Sequence, residues 1–348
     1  MNQNTVALSL FSGGLDSILA SRVVAAQGIQ VIAIKFISPF FDHGALADPQ
    51  ASIDRARELY GLDVRIEDIT TPYLELLKKP VYGFGKNFNP CVDCKISMFK
   101  RAGEMMEEYG ASFLISGEVL GQRPMSQRRD TLNVISRDSD KRDILLRPLS
   151  AKLMTPIAAE RNGLVDREKL YDFSGRGRSR QIALAREFGI TEFPAPAGGC
   201  RLADPILSKR IAALYSGDFV LSPDDVGSVD IHCLMVGRQF VLPGGGWLVI
   251  GRDQRDNEEL MRHRQEDDVL LCMVDHPGPT ALLRRTSVVY DDDAKLTADL
   301  ELAGRLVVRY AKKVEGRHEP QDVQIYRGGG MEARRFDSIE EEFSQWIV

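Results

Sequence analysis

The chain has 348 residues, of which 43% are hydrophobic, 27% charged and 7% aromatic, with a formal net charge of −5. That length allows two domains, or three small ones, each with its own core, and the composition is that of a soluble globular protein. Three function classes are disfavoured: the apolar runs are far shorter than the roughly 18 to 20 residues of a membrane span, five cysteines are too few and odd for a disulfide framework, and the acidic balance speaks against an indiscriminate polyanion binder, while leaving room for a local basic surface that holds RNA. The opening MNQNTVALSLF has neither a basic n-region nor a small-residue cleavage site, so no secretory signal is expected and the cytoplasm is the expected compartment.

Residues 5–11, 30–37, 62–68 and 111–116 read as strands, and stretches near 15–27, 50–60 and 92–109 read as helices. This alternation predicts an α/β fold with a doubly wound parallel sheet, whose ligands sit beyond the carboxyl ends of the strands. The first strand runs into SGGLDS, residues 12–17, and then into an amphipathic helix. A turn this tight needs glycine, and it leaves the first N–H groups of the helix at the positive end of its dipole, a site for phosphate. No lysine follows as in a Walker loop. Phosphate would be held by backbone groups and the hydroxyls of Ser12 and Ser17 around Gly13 and Gly14, with Asp16 placed to meet magnesium or the nucleotide; an ordinary capped βα turn is the plainer alternative. Lys35 and Phe36 end the second strand, where they either border an adenine or simply close a strand.

NPCVDCK places Cys91 and Cys94 at the opening of a helix, and AGGCR places Cys200 far downstream. A helix N-terminus lowers a thiol's pKa, so thiolates are expected there. Three cysteines complete neither a zinc site nor an iron–sulfur cube and would leave one coordination position open. Cys233 and Cys272 lie in apolar, strand-like text and read as small core residues. Basic residues gather as Arg123, Arg128 and Arg129, and as Arg176, Arg178 and Arg180 on a glycine-rich segment. Such clusters are either solvated faces or phosphate contacts.

The stretch FPAPAGGCRLADP reads as a rigid loop, and SKRIAALYSG as a short helix linking two domains. Beyond residue 222, DIHCLMVG, FVLPGGG, WLVIGRD, DVLLCMVD, RLVVRY and VQIYRGGG read as short strands of a smaller α+β module. The expected organisation is a first domain over residues 1–205, a linker over 206–222 and a second domain over 223–348.

The blocks SGGLDS, NPCVDCKISMFKRA, ISGEVLGQRPMSQRRDTLNVI and RPLSAKLMTPIA, in this order, resemble the PP-loop (N-type ATP pyrophosphatase) domain of tRNA 4-thiouridine synthetases. NPCVDCK also resembles the tRNA 2-thiouridylases, in which the catalytic cysteine would fall on Cys94 and its partner on Cys200. The CxxC plus one distant cysteine is similar to the iron–sulfur-dependent tRNA thiolation enzymes. WLVIGRDQRDNEELMRHRQEDD and VDHPGPTALLR resemble, more weakly, the NFACT-R class of RNA-binding modules. The resemblance implies an adenine-nucleotide alpha-hydrolase-like fold and an ATP-dependent tRNA sulfurtransferase that adenylates a uridine carbonyl and replaces its oxygen by sulfur. It implies ATP and Mg2+, Gly117 and Glu118 lining the nucleotide site, and a [4Fe–4S] cluster on Cys91, Cys94 and Cys200; a persulfide relay between Cys94 and Cys200 is the alternative. The implied partners are tRNA, a sulfur donor (cysteine desulfurase or inorganic sulfide) and a second copy in a homodimer, with no membrane. The PP-loop starts at residue 12, so the family's N-terminal RNA-binding region and C-terminal rhodanese domain are not expected in their usual form. A PP-loop enzyme acting on a small-molecule acceptor, and an RNA-binding protein with a relic nucleotide site, are the rival expectations.

Overall fold

The computed structural model describes residues 5–195 and 200–348, and the chain divides into two compact units, Met1–Ala203 and Asp204–Val348. In the first, strands β1 (Val6–Leu10), β2 (Gln30–Ile37), β3 (Asp63–Asp68), β4 (Ala111–Ser116) and the short β5 (Leu145–Leu146) form one sheet in the order β3-β2-β1-β4-β5. Every pairing is parallel. The strands are buried on both faces, so they read as continuous apolar runs, and each crossover needs a helix.

Those helices are α1 (Leu15–Ala25), α2 (Pro49–Tyr60), α3 (Thr70–Lys78), α4 (Cys91–Met105), α5 (Arg129–Asp138), the single turn α6 (Ala158–Arg161) and α7 (Ser179–Glu187). Asp48 caps α2 by accepting from the Ala51 N–H at 2.9 Å, Pro49 opens the helix, and Gly61 ends it in the left-handed region. α1 is apolar almost all round because its residues Leu15, Ile18, Leu19, Val23 and Val24 join the core shared with β1, β2 and β4.

The strand order reverses between β1 and β4, which makes the carboxyl ends of these two strands a topological switch point. Two glycines shape it. Gly13 has φ +71°, a conformation that side chains rarely adopt. At Gly117, just after β4, a methyl group would stand 2.6 Å from Ser17 N and Cα and 2.7 Å from the Asp16 carbonyl carbon, so only a hydrogen atom fits between that loop and the first turn of α1.

In the second unit, β6 (Arg238–Val241), β7 (Trp247–Ile250), β8 (Val269–Met273), β9 (Ala281–Arg284), β10 (Gln321–Arg327) and β11 (Gly330–Phe336) form an antiparallel sheet in the order β11-β10-β8-β9-β7-β6. The long helix α12 (Asp293–Tyr310) packs its Leu296, Leu300, Ala303 and Val307 into the core under this sheet. The helices α8 (Pro205–Ser216), α9 (Ser228–Met235), α10 (Gln254–His263) and the one-turn α11 (Thr286–Val289) complete it.

Three expectations need correction here. DIHCLMVG is not a strand; it forms most of α9, which buries Ile231, Cys233 and Leu234 on one side. RLVVRY is not a strand either but the last turns of α12, whose period-3.6 burial continues from Leu296. The stretch 206–222 is no free linker, because α8 occupies most of it and belongs to the second unit, where it packs on α9. β-Branched and aromatic content made these short apolar runs look extended, and length in context decided otherwise.

The close approach at Gly117 yields a prediction. Gly117→Ala should cost about 1–3 kcal/mol, the usual cost of overpacking a tight contact. Gly177→Ala, where a methyl group would meet nothing within 4 Å and φ is not positive, should leave the urea midpoint unchanged. Comparing the two denaturation curves checks this; equal midpoints would mean that the Gly117 contact relaxes freely.

Candidate nucleotide loop and cysteine site

The SGGLDS turn leaves β1 and enters α1 through Gly14, which caps the helix with extended backbone and no side-chain acceptor. The first N–H groups of α1 are therefore free of any side-chain cap and point beyond the sheet edge. Ser17 spends its hydroxyl on the Gly14 carbonyl (2.8 Å), and Ser12 donates to Ser17 Oγ at 3.3 Å. Lys35 on β2 reaches this loop: a methyl group on Gly13 would sit 3.8 Å from Lys35 Nζ, which also pairs with Asp42 at 3.5 Å. A lysine from the neighbouring strand thus places a positive charge beside this loop. Phe36 is buried and closes the strand.

Asp16 Oδ2 accepts from Gln122 Nε2 at 2.6 Å and lies 3.9 Å from Arg178 Nη2. Gln122 in turn accepts from Gln181 Nε2 at 3.1 Å, and Gln181 is buried. The second carboxylate oxygen, Asp16 Oδ1, is buried and has no partner among the described residues, and the same holds for Arg178 Nε. A buried carboxylate oxygen without a partner is costly, so the site is built for a cation or ligand donor to complete it. That donor set fits Mg2+, an oxygen-seeking ion that keeps several waters.

Glu118 does not open onto this pocket. It is 2% exposed and accepts from Arg147 Nε at 2.9 Å, while Glu118 Oε1 and Arg147 Nη2 stay unpartnered. Gly117 acts as the contact that lets α1 and the β4 loop meet. Of the six arginines, Arg178 alone joins the nucleotide loop. Arg123 and Arg176 are exposed, Arg128 pairs with Asp130 at 3.1 Å, Arg129 donates to the Leu153 carbonyl, and Arg180 pairs with Asp172 above the Phe173 ring.

The three cysteines expected to work together are brought together. Cys91 and Cys94 occupy the first turn of α4, behind Pro90 at the cap. Cys200 follows residues 196–199, which lie outside the described residues; Arg201 N donates to the Phe40 carbonyl at 2.8 Å and so ties this end to the loop after β2. Between them stands Tyr73 on α3, 3% exposed, its ring 5.4 Å from those of Phe40 and Phe41. Its hydroxyl faces the thiols of Cys94 and Cys200, and with burial these neighbours raise its pKa. Asn89 Nδ2 donates to Cys91 Sγ at 3.2 Å. Asp93, inside CVDC, turns away from the sulfurs and accepts the N–H groups of Val81 and Tyr82 at 2.9 and 3.0 Å.

Burial overturns the expected thiolates. It pushes Cys94 up to about 12 and Cys200 up to about 11, so both are thiols near neutral pH until a metal or a cation arrives. Among the described residues no group of three or more Cys, His, Asp or Glu side chains converges closely enough to hold a single metal ion. A zinc ion demands such convergence. A cubane cluster does not, because each cysteine binds a different iron, and three soft thiols spread around one hydroxyl suit it in chemistry. All five cysteines are free of disulfides; Cys233 is buried in α9 and Cys272 half-buried on β8, far along the chain from this cluster.

Tyr73, Asp93, Gln122 and Gln181 escaped sequence reasoning. Gln122 lies inside the ISGEVLGQ block, six residues past a strand end that already pointed to ligands, so its place was readable. A lone Tyr in a helix carries no such signal, and Asp93 looked like a spacer between cysteines.

Comparison with known proteins follows the same division. Residues 2–157 match the family model described as thiamine biosynthesis protein (ThiI), and residues 237–347 match the NFACT protein RNA binding domain. A protein described as a probable tRNA sulfurtransferase from Thermococcus kodakarensis is 27% identical over 134 residues, 38% of this chain and 34% of that one. A tRNA sulfurtransferase from Marinobacter nauticus is 27% identical over 208 residues, 58% of this chain and 41% of that one. This chain thus spans about a third to two-fifths of the length of these curated relatives. Among solved structures, a 4-thiouridine synthetase–RNA complex with bound ATP is similar at 23% identity and a TM-score of 0.37, covering 53% of this chain and 41% of that one. The chain resembles the PP-loop tRNA thiolation group in its first unit and an NFACT-R module in its second. No helix among the described residues is long and apolar enough to cross a membrane.

The raised thiols make the metal-free protein pH-sensitive in a definite direction. The unfolded chain releases these protons near pH 9 while the folded chain holds them, so stability is complete below about pH 9 and is lost progressively as pH rises toward 11 to 12. The melting temperature of the metal-free protein should fall over this window, and Cys94→Ala should flatten the fall. Parallel slopes for wild type and variant would show that Cys94 is not held as a buried thiol.

Proposed function

We propose that this chain is an ATP-dependent tRNA sulfurtransferase that converts a uridine carbonyl to the thiocarbonyl, with 4-thiouridine as the favoured product. The observation that supports it most is the gathering of Cys91, Cys94 and Cys200 around Tyr73 on the edge that also carries SGGLDS. Tyr73 follows β3, Phe40 follows β2, and the nucleotide loop follows β1, so activation and sulfur delivery share the carboxyl ends of one parallel sheet.

ATP would lie with its phosphates on the N–H groups of Gly13 to Ser17, next to Lys35. Asp16 Oδ1 would meet Mg2+, and Arg178 would neutralise charge on the far side. The uridine carbonyl oxygen attacks the α-phosphorus, a P–O bond forms, and pyrophosphate leaves. Backbone donors and the lysine stabilise the charge that develops at phosphorus. The oxygen is now part of AMP, a good leaving group. Sulfur then adds to the ring carbon, the C–O bond breaks, and AMP departs with the bonding electrons. Cys91, Cys94 and Cys200 would hold a [4Fe–4S] cluster, which when bound supplies a place for the transferred sulfur. Tyr73 orients the sulfur side of the site by its hydroxyl, and Phe40 and Phe41 exclude water from it. A cysteine desulfurase or inorganic sulfide would renew the sulfur. The NFACT-like unit, with the exposed Arg123, Arg128, Arg129, Arg176 and Arg180 of the first unit, would hold tRNA phosphates, in the cytoplasm.

Asp16→Ala should lower ATP-dependent pyrophosphate release at least ~10²-fold, the cost of losing one pre-organised charge-stabilising group, without moving the melting curve. Near-normal turnover with an intact fold would remove the nucleotide assignment. Purified without oxygen, the wild-type chain should be brown and carry about four irons on the three-cysteine ligation. Cys91→Ala, Cys94→Ala and Cys200→Ala should each lose iron and thiolation together, whereas Cys272→Ala should keep both. Normal thiolation by iron-free Cys91→Ala would leave the two-cysteine relay instead.

A further inference from the structure

The connection between α3 and α4, residues 79–90, behaves unlike a solvated loop. It exposes Val81 (86%), Tyr82 (41%) and Phe84 (39%) to water. Yet it is firmly built: buried Asp93 accepts the Val81 and Tyr82 N–H groups, Gly85 N donates to the Asn89 carbonyl at 3.0 Å, and the Tyr82 hydroxyl bonds Asp138. Phe84 stacks on Phe88 with centroids 3.9 Å apart and planes within 20°, which covers one face and leaves the rest of the ring to solvent. The loop's charges are Lys79 and Lys86, both exposed, and it carries no acid. It ends at Asn89, which touches Cys91 Sγ.

We propose that this loop is a base-stacking platform for unpaired substrate RNA beside the reacting uridine, with Phe84 taking a base face and Lys79 and Lys86 taking the flanking phosphates. The proposal rests on the tRNA-thiolating reading. A rigid ring with one face pre-stacked, on a loop whose own charges are both cationic, matches how proteins hold single-stranded nucleic acid. A uridine whose carbonyl must reach an α-phosphate has to leave its stack, and an aromatic ring nearby offsets the stacking that its neighbours lose. Asp93 is then a positioning residue: it fixes the platform relative to the cysteines on either side of it.

The test uses the full chain with a fluorescein-labelled tRNA transcript, followed by anisotropy across a salt series, with melting curves for each variant. Phe84→Ala should weaken binding about 5- to 100-fold with an unchanged salt slope, since stacking releases no counterions. Phe84→Trp should keep the affinity, and its indole emission should be quenched by tRNA but not by ATP. Lys86→Ala should weaken binding and reduce the salt slope. Unchanged affinity in Phe84→Ala, or an indole in Phe84→Trp indifferent to saturating tRNA, overturns the platform while wild-type tRNA binding keeps the thiolation reading standing. Wild-type protein that binds no tRNA overturns both. Intact tRNA affinity in Phe84→Ala with slowed sulfur uptake from a desulfurase would assign the patch to the donor protein and also overturn the proposal.

Discussion

The approach of the β4 loop to the first turn of α1 is the contact on which the first unit depends. With hydrogen as the only side chain at Gly117, the loop backbone lies against Ser17 and Asp16, and this sets the distance between two connections that diverge in opposite directions from the sheet. Gln122, five residues further on, can then reach Asp16, and Gln181 and Arg178 of α7 can reach Gln122 and Asp16 from the other side. A bulkier residue would open the switch point and dissolve the network before touching any ligand. Parallel topology makes this possible, because it delivers the ends of β1 and β4 side by side on one edge.

The cysteine site relies on the opposite device. Here the candidate sulfur atoms are half-buried, and desolvation keeps those of Cys94 and Cys200 protonated. Loading any metal therefore has to release protons, which couples occupancy to pH and makes the metal-free site electrically quiet. A neutral thiol cluster around a tyrosine hydroxyl costs little to bury, whereas three thiolates without a counter-charge would be prohibitive. The Tyr73 hydroxyl lies against these sulfurs, and its ring packs on Phe40 and Phe41. Helix dipole and burial act in opposite senses on Cys94, and burial is the larger effect.

Sequence made the location of both candidate sites legible because each stands on distinctive residues at fixed spacing. Gly-Gly before a helix and CxxC at a helix start marked the places, and the apolar strands around them set the parallel sheet. What escaped was relational. Whether Tyr73 meets Cys94 depends on how two crossovers lie after β3 and before α4, which no local pattern encodes. Arg178 read as one member of a basic cluster, although a half-buried position beside Asp16 separates it from the exposed Arg176 and Arg180. In the second unit, the helical turns of α9 and of the end of α12 were misjudged because six-residue apolar runs satisfy both periods.

Buried polar atoms without partners occur in both units, so what surrounds each one decides what it signifies. In the second unit the large buried charges are largely spent internally: Arg284 pairs with Asp230 and Asp268, and Asp299 accepts the N–H groups of Gly244 and Gly246 and the Tyr290 hydroxyl. Those carboxylates define strand ends and a turn. Among the described residues of the first unit, Asp16 Oδ1, Arg178 Nε, Glu118 Oε1 and Arg147 Nη2 are buried without a partner at the switch point or the strand ends beside it, while Arg22 Nε in the last turn of α1, and Arg210 Nε and Arg284 Nε in the second unit, share that state. Native interiors rarely tolerate such atoms. What sets the switch point apart is that an unpartnered carboxylate oxygen, Asp16 Oδ1, lies beside the first turn of α1, whose leading N–H groups have no side-chain cap, so charge and hydrogen-bonding groups arriving from outside would relieve the cost of burying it.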